Sequence, residues 1–306
     1  DFATTIPTSY RFIASISTFD YFKKDKLFSK NDKPAFNQKD ERFLKLKVAL
    51  PFLSSKRLEL GFGIAQIEDR YFQNNVIDFD KDKYDKSGYR LFGGSVSFNG
   101  STLNSRQFPI QGAREALVAQ IFTGNESFRP GVNSENKKPV KEKHSWLQLS
   151  YMKEKYHKMG ANWILGWYLD AVYASKNFSE NYTATMMQAS EFAPTAHSKL
   201  TYNEAFRANQ YVAAGIRPIY RLNQMFHVRG EFYGFLPIFP IERNSINKAY
   251  YGKAFSRFEY LGEISVVCQL PFGAISAYVN HYSSPRREWN VGLTLGWQLF
   301  NYRFIE

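Results

Sequence analysis

Residues 287–300, REWNVGLTLGWQLF, alternate between two kinds of side chain. Trp289, Val291, Leu293, Leu295, Trp297 and Leu299 occupy one set of positions, and Asn290, Gly292, Thr294, Gly296 and Gln298 the other. Successive side chains of a β-strand point to opposite faces, so the segment reads as a strand with one apolar face and one small, polar face. Two settings produce that pattern: a soluble antiparallel sheet over a core, or a barrel wall with lipid outside and a wet lumen inside.

The same period recurs along all 306 residues. It predicts thirteen strands, at 9–18, 42–52, 57–67, 88–99, 114–123, 144–155, 161–175, 182–191, 209–221, 223–236, 256–270, 273–283 and 287–301. Most are near or above ten residues, whereas strands of soluble sheets run to about five or six. A tilted strand that crosses a membrane needs about 9–11. Tight turns at LSSK (53–56), RLNQ (221–224) and PFG (271–273) alternate with long polar links such as 19–41, 68–87, 124–143 and 237–255. Short turns at one end and long loops at the other are the habit of outer-membrane barrels. No linker composition interrupts the pattern, so residues 1–306 read as one domain.

The spacing of aromatics favours the membrane setting. Trp289 and Trp297 lie eight residues apart, which at about 3.3 Å per residue and a tilt near 40° gives roughly 20 Å of height between two water interfaces. In ANWILGWYLDAVYAS (161–175), Trp163, Leu165, Trp167, Leu169, Ala171 and Tyr173 share one face, opposite Ile164, Gly166, Tyr168 and Asp170. Trp163, Trp167, Trp289 and Trp297 are the expected aromatic girdle. Aromatic residues make up 17% of the chain while mean hydropathy is only −0.43, a combination that suits a barrel and excludes a bundle of membrane helices.

The formal net charge of +12 does not read as nucleic-acid binding. Basic residues collect in loops, KKDK (23–26) and ENKKPVKEK (135–143), or stand singly on polar strand faces, without the aromatic-lined basic groove that single strands need. Outer-membrane lipids and lipopolysaccharide are the matching anionic partner. The lone Cys268 excludes an internal disulfide, and in EISVVCQL it shares the apolar face with Ile264 and Val266.

If the apolar face meets lipid, Lys45, Lys47, Arg57, Glu59, His227, Arg229, Glu231, Glu259, Glu263 and Gln269 point inward. Opposite charges two apart, Arg229 with Glu231, predict a lumenal ion network. Catalytic motifs fail. GGSVS (93–97) has Ser97 where a nucleophile elbow has its last glycine. DFDKDKYDKSGY (78–89) offers Asp78, Asp80 and Asp82 in calcium-loop spacing, but Lys83 replaces the turn glycine and Tyr89 the final glutamate. The five histidines (144, 157, 197, 227 and 281) lack metal-ligand spacing. The expectation is no metal, no cofactor and no catalytic residue within the chain.

Four stretches carry a family resemblance. LNSRQFPIQGAREALVAQIF (103–122) resembles the FPxxG-then-strand element of the BamA-type outer-membrane insertase superfamily. NYTATMMQASEFAPTAHSKL (181–200), FRANQYVAAGIRPIYRLN (206–223) and HVRGEFYGFLPI (227–238) resemble, in order and spacing, the C-terminal barrels of patatin-like phospholipases from Bacteroidetes. The resemblance implies an all-β fold, an antiparallel transmembrane barrel of the sixteen-stranded, autotransporter-like type in the bacterial outer membrane. It implies a serine lipid hydrolase and a POTRA domain upstream, so this chain is expected to lack its first strands and both those domains. Arg207 falls where the superfamily's inward loop carries a lumen-binding arginine, with Ala208 in place of the motif's glycine. Asn290, Gly292, Leu295 and Trp297 resemble the signal read by the barrel-assembly machinery. The implied role is an anchor or translocator for an attached hydrolase. The alternative is an insertase-like barrel in outer-membrane protein assembly. Pairing into a homodimer or membrane complex stays open.

Overall fold

The computed structural model describes residues 9–22, 36–53, 55–73, 84–132, 134–199, 201–271, 273–284, 289–297 and 304–305. Seven long strands come first: β1 (Ser9–Phe22), β2 (Phe36–Leu53), β3 (Lys56–Tyr71), β4 (Asp85–Ser101), β5 (Gly112–Arg129), β6 (Val140–Lys158) and β7 (Trp163–Ala174). An inward segment follows, with helix α1 (Tyr182–Gln188), β8 (Ser190–Glu191), a 3-10 turn (Glu204–Phe206) and β9 (Arg207–Ala208). The wall resumes with β10 (Gln210–Arg221) and β11 (Phe226–Pro237), is decorated by the small hairpin β12 (Ile241–Arg243) and β13 (Ala249–Tyr251), and ends with β14 (Glu259–Leu270), β15 (Gly273–Tyr282) and β16 (Trp289–Trp297). Twelve strands form one antiparallel sheet in the order β1-β2-β3-β4-β5-β6-β7-β10-β11-β14-β15-β16. Each wall strand pairs antiparallel with the next, so most backbone groups between neighbours are satisfied within the sheet, as a bilayer demands, with Arg217 and Pro218 left out of the β10–β11 register.

Twelve of the thirteen expected strands are present; 182–191 is not one. Its Tyr-Thr-Ala-Thr-Met-Met-Gln run folds as α1, because Asn181 caps it: the Asn181 side chain accepts from the Ala184 amide at 2.9 Å. Thr183, Ala184, Thr185, Met186, Met187 and Gln188 are all buried, so tertiary packing on every side stabilises a helix too short to stand alone. The first six strands, β1 to β6, run longer than their alternation, whereas β7, β10, β11, β14 and β15 are one to three residues shorter than expected. β2 continues back to Phe36 through Gln38↔Arg70, Lys39↔Asp69 and Asp40↔Glu68, where both faces are polar and alternation fades although pairing does not.

The two faces separate as expected. On β16 Trp289, Val291, Leu293 and Leu295 are 71%, 78%, 80% and 71% exposed, with Asn290, Gly292, Thr294 and Gly296 turned inward. The outward band continues through Leu44 and Leu46 on β2, Leu60, Phe62 and Ile64 on β3, Phe92 and Val96 on β4, and Ile264 and Val266 on β14. Among the described residues no helix is long and apolar enough to cross a membrane; the crossing elements here are strands.

Three segments fill the concave side, and their contacts show how far the sheet curls. From the short-turn end, residues 102–111 reach β11, where the Pro109 carbonyl accepts from Arg229, and β14, where Gln269 donates to Ser105. From the long-loop end, residues 175–209 touch β3 through Asn181 and Tyr71 (2.7 Å), β2 through Lys39 and the Met187 carbonyl (3.2 Å), and β15 through His197 and Tyr282 (2.8 Å). Phe304, beyond β16, lies against Phe43 of β2 and Phe122 of β5. The interior is also more aromatic than a polar lumen predicts: Phe192 and Phe206 pack with Tyr168, Tyr211, Tyr233, Phe235 and Tyr282.

Candidate lumenal site

A connected network of charges, most of them buried, lies on the inward faces of β5, β6, β10 and β11. Arg229 is 1% exposed and ion-paired with Glu231, which also accepts from the Tyr233 hydroxyl. Arg217 of β10 pairs with Glu154 of β6, reaches Glu231 at 3.8 Å, and donates through Nε to the Tyr233 hydroxyl at 2.6 Å. Tyr156 receives hydrogen bonds from both arginines, 2.5 Å from Arg217 and 2.9 Å from Arg229, and donates to Glu154 at 3.1 Å. Arg114 closes the set on Glu154 at 3.0 Å. Arg114 is exposed, but the charges of Arg217 and Arg229 persist in burial because each guanidinium meets a carboxylate and a phenol.

Two glycines make room for the rings. A Cβ at Gly166 would sit 2.6 Å from the Tyr156 ring, and one at Gly215 would sit 2.2 Å from that of Tyr233. Small residues on β7 and β10 therefore admit phenols from neighbouring strands.

The expected lumenal residues do not form one site. Arg229 and Glu231 belong to this network. Glu259 lies toward the long-loop end, bonded to Ser283 and ion-paired with Arg257 at 2.7 Å. Glu263 accepts from Asn280 at 3.4 Å. Arg207 is buried inside the 175–209 segment, paired with Glu191 at 2.9 Å, donating to the carbonyls of Met186, Met187 and Ala189, and lying 4.7 Å from the Tyr202 ring. It ties α1 to the β8–β9 ladder. Arg57 is on the expected face but exposed near its turn, 2.5 Å from Glu59.

Sequence reasoning missed Glu154, Tyr156, Arg217, Arg114 and the Pro109 carbonyl. Glu154 and Tyr156 stand two apart on β6, on one face like Arg229 and Glu231 on β11 but without the opposite charges that marked that pair; the carbonyl left no trace in the sequence.

A second polar group lies toward the long-loop end. His144 meets Glu126 at 2.8 Å, and ligand atoms of Glu126, Glu142 and His144 come within 4.8 Å of one another. Lys176 of the inward segment sits over the Trp146 ring at 4.6 Å and donates to Gln188 at 3.4 Å. Burial and the nearby Lys39 push its pKa down to about 7, against the pull of Glu126 and Asp69. Asp78, Asp80 and Asp82 lie outside the described residues.

On β16, Asn290 donates to Asn280 at 3.1 Å, Gly292 lies beneath the Tyr278 hydroxyl, and Leu295 points outward. Trp289 and Trp163 are exposed on the outer face, 71% and 56%, and Trp167 is half-buried. The Trp297 side chain lies outside the described residues, though its backbone completes β16 opposite Gly273.

Neither a protein-family model nor a curated protein matches the sequence. Solved structures do. BamA from Haemophilus ducreyi lacking POTRA domains 1–3 superposes with a TM-score of 0.58 at 11% identity, over 95% of this chain and 58% of that one. This chain thus spans little more than half of that structure. The transport unit of the autotransporter AIDA-I from Escherichia coli matches with a TM-score of 0.41 at 12% identity, over 95% of this chain and 89% of that one. BauA, the ferric preacinetobactin receptor from Acinetobacter baumannii, matches with a TM-score of 0.42 at 8% identity, over 81% of this chain and 38% of that one. With its antiparallel wall, outward apolar band and filled interior, the chain has the fold of the bacterial outer-membrane β-barrels.

Proposed function

We propose that the chain is the outer-membrane anchor of a larger patatin-like lipid acyl hydrolase, with no catalytic group of its own. The observation that carries this reading is the filled interior. Residues 102–111, the 175–209 segment and Phe304 occupy the concave side, and buried ion pairs and hydrogen bonds hold the first two. Such a barrel holds a neighbouring domain at the membrane; moving a polypeptide through it requires displacing those segments. The sequence resemblance of 181–200, 206–223 and 227–238 supplies the link to the hydrolases. In this reading the barrel-assembly machinery folds the chain into the outer membrane, using β16 as its signal.

The likeness to BamA favours a second reading, an insertase-like barrel. The upstream reading frame decides between them. A serine-elbow hydrolase domain there, with phospholipid hydrolysis in outer-membrane fractions that show a heat-dependent gel shift, supports the anchor. Several POTRA units without a serine elbow support the insertase.

A further inference from the structure

On the outer wall, one register row crosses six strands: Ile16↔Arg42, Arg42↔Gln66, Gln66↔Arg90, Arg90↔Asn125 and Asn125↔Lys143. It alternates cation and amide from β2 to β6: Arg42, Gln66, Arg90, Asn125, Lys143. All five side chains are exposed. Among the described residues, none of the three cations has a carboxylate within ion-pair distance. The contrast with cations farther along the same strands is sharp: Arg70 pairs with Asp40 at 3.2 Å and Glu68 at 2.7 Å, and Lys86 reaches Glu68 at 3.5 Å.

The row marks the edge of the apolar band. One pair toward the short-turn end, Leu44, Ile64 and Phe92 stand directly beneath Arg42, Gln66 and Arg90. Cations and apolar side chains together line an open groove of about 880 Å³ on the outside of β1–β6, which also reaches Thr123, Asn125 and Lys143. Arg42 and Arg90 lie two strands apart, as do Arg90 and Lys143, so adjacent cations are about 10 Å apart at their backbones. A single phosphate is bridged by one such pair only if the side chains converge; a headgroup with two separated phosphates engages the whole row.

We propose that this groove binds a phosphorylated, multiply acylated glycolipid of the outer leaflet, with its phosphates on Arg42, Arg90 and Lys143 and an acyl chain over Leu44, Ile64 and Phe92. The proposal rests on the membrane reading of the wall. The row lies toward the ends of β3, β4, β5 and β6 whose connecting sequences are long, and in outer-membrane barrels the long connections face the exterior, which sets the leaflet. Guanidinium forks match phosphate oxygens, and the amides of Gln66 and Asn125 supply neutral donors for sugar hydroxyls or phosphate between them.

The test uses the full chain purified in a neutral detergent, with the triple variant R42Q/R90Q/K143Q beside it. Both are titrated with bis-phosphorylated lipid A, its dephosphorylated form and phosphatidylglycerol, and read by tryptophan fluorescence and by bound lipid in native mass spectra. The expected result is saturable binding of bis-phosphorylated lipid A by the parent. The variant weakens that binding roughly tenfold or more, about 1.4 kcal/mol, because three charge-assisted contacts to phosphate are lost. The dephosphorylated lipid binds parent and variant equally weakly. Equal affinity of parent and variant for bis-phosphorylated lipid A overturns the site, and phosphatidylglycerol binding as tightly overturns the glycolipid assignment. A heat-dependent gel shift in both proteins shows that the wall is folded, so loss of that shift in the parent speaks against the membrane reading instead.

Discussion

Arg229 on β11 donates to the Pro109 carbonyl at 2.8 Å, joining residues 120 positions apart. That bond fixes the inward turn 102–111 against the far side of the concave face. The same guanidinium holds Glu231, so it serves the turn and the wall together.

Replacing Arg229 by Met removes both tasks and leaves Glu231 with the Tyr233 hydroxyl and, as a cation, only Arg217 at 3.8 Å. Breaking a buried pair from one side costs about 3–5 kcal/mol. The temperature at which the folded gel band is lost should fall well below that of the parent. The double variant R229M/E231Q should lose less than the two single variants summed, because no carboxylate is then stranded.

Gly215→Val tests the space made for Tyr233. The added Cβ meets the ring at 2.2 Å and the Phe232 carbonyl at 2.6 Å. Overpacking of this kind costs about 1–3 kcal/mol. Phe at 233 keeps the clash and also removes the hydroxyl that bonds Arg217 and Glu231, so G215V/Y233F should be less stable than G215V, while the cost of adding G215V to Y233A should be smaller than its cost in the parent, read by urea unfolding from micelles.

Leu293 and Thr294 are neighbours on opposite faces of β16. Leu293→Arg places a charge in lipid, at about 2–4 kcal/mol near the bilayer midplane, and should lower the fraction of folded protein recovered from membranes. Thr294→Arg faces the interior and should fold better than L293R in the same assay. Equal recovery of the two would reverse the assignment of faces.

Lys176 predicts a pH dependence. Its folded pKa, about 7, lies below the ordinary lysine value of 10.5, so between those values the unfolded segment binds more protons than the folded one. Stability of the 175–209 segment therefore rises as pH climbs from about 7 toward 10.5, and the cost of the buried charge is fully present below pH 7. Amide exchange in α1, corrected for intrinsic rate, should slow between pH 7 and pH 9, and Lys176→Met should flatten that change.

Much of the wall is legible from alternation alone, because lipid and interior impose opposite polarity on successive residues, as Leu293 and Thr294 show. Alternation fails where that contrast ends. Asp40 and Glu68 pair in register above the apolar band, where both faces are polar, so β2 and β3 outrun their pattern. It also misleads at 182–191, where Tyr182, Ala184 and Met186 mimic a strand face, although Asn181 three residues before Ala184 is a helix cap. The ion network was half readable. Arg229 and Glu231 announce themselves by spacing, but Arg217 enters through the fold, opposite Gly166 and two strands from Glu154, and no local pattern connects them.

Phe304 gives the chain a record of its own assembly. Its amide donates to Glu41 at 2.7 Å and its ring lies 5.9 Å from that of Phe43, across 263 intervening sequence steps from Glu41. Closing so long a loop gains little until the hairpins between are in place, so this contact belongs to the end of folding. A slip of one residue in β2 would turn Glu41, Phe43 and Lys45 toward lipid and Leu44 inward, leaving Phe304 without its seat. The last aromatic ring thus closes only over a correctly counted wall, and a barrel with a miscounted strand stays unlatched.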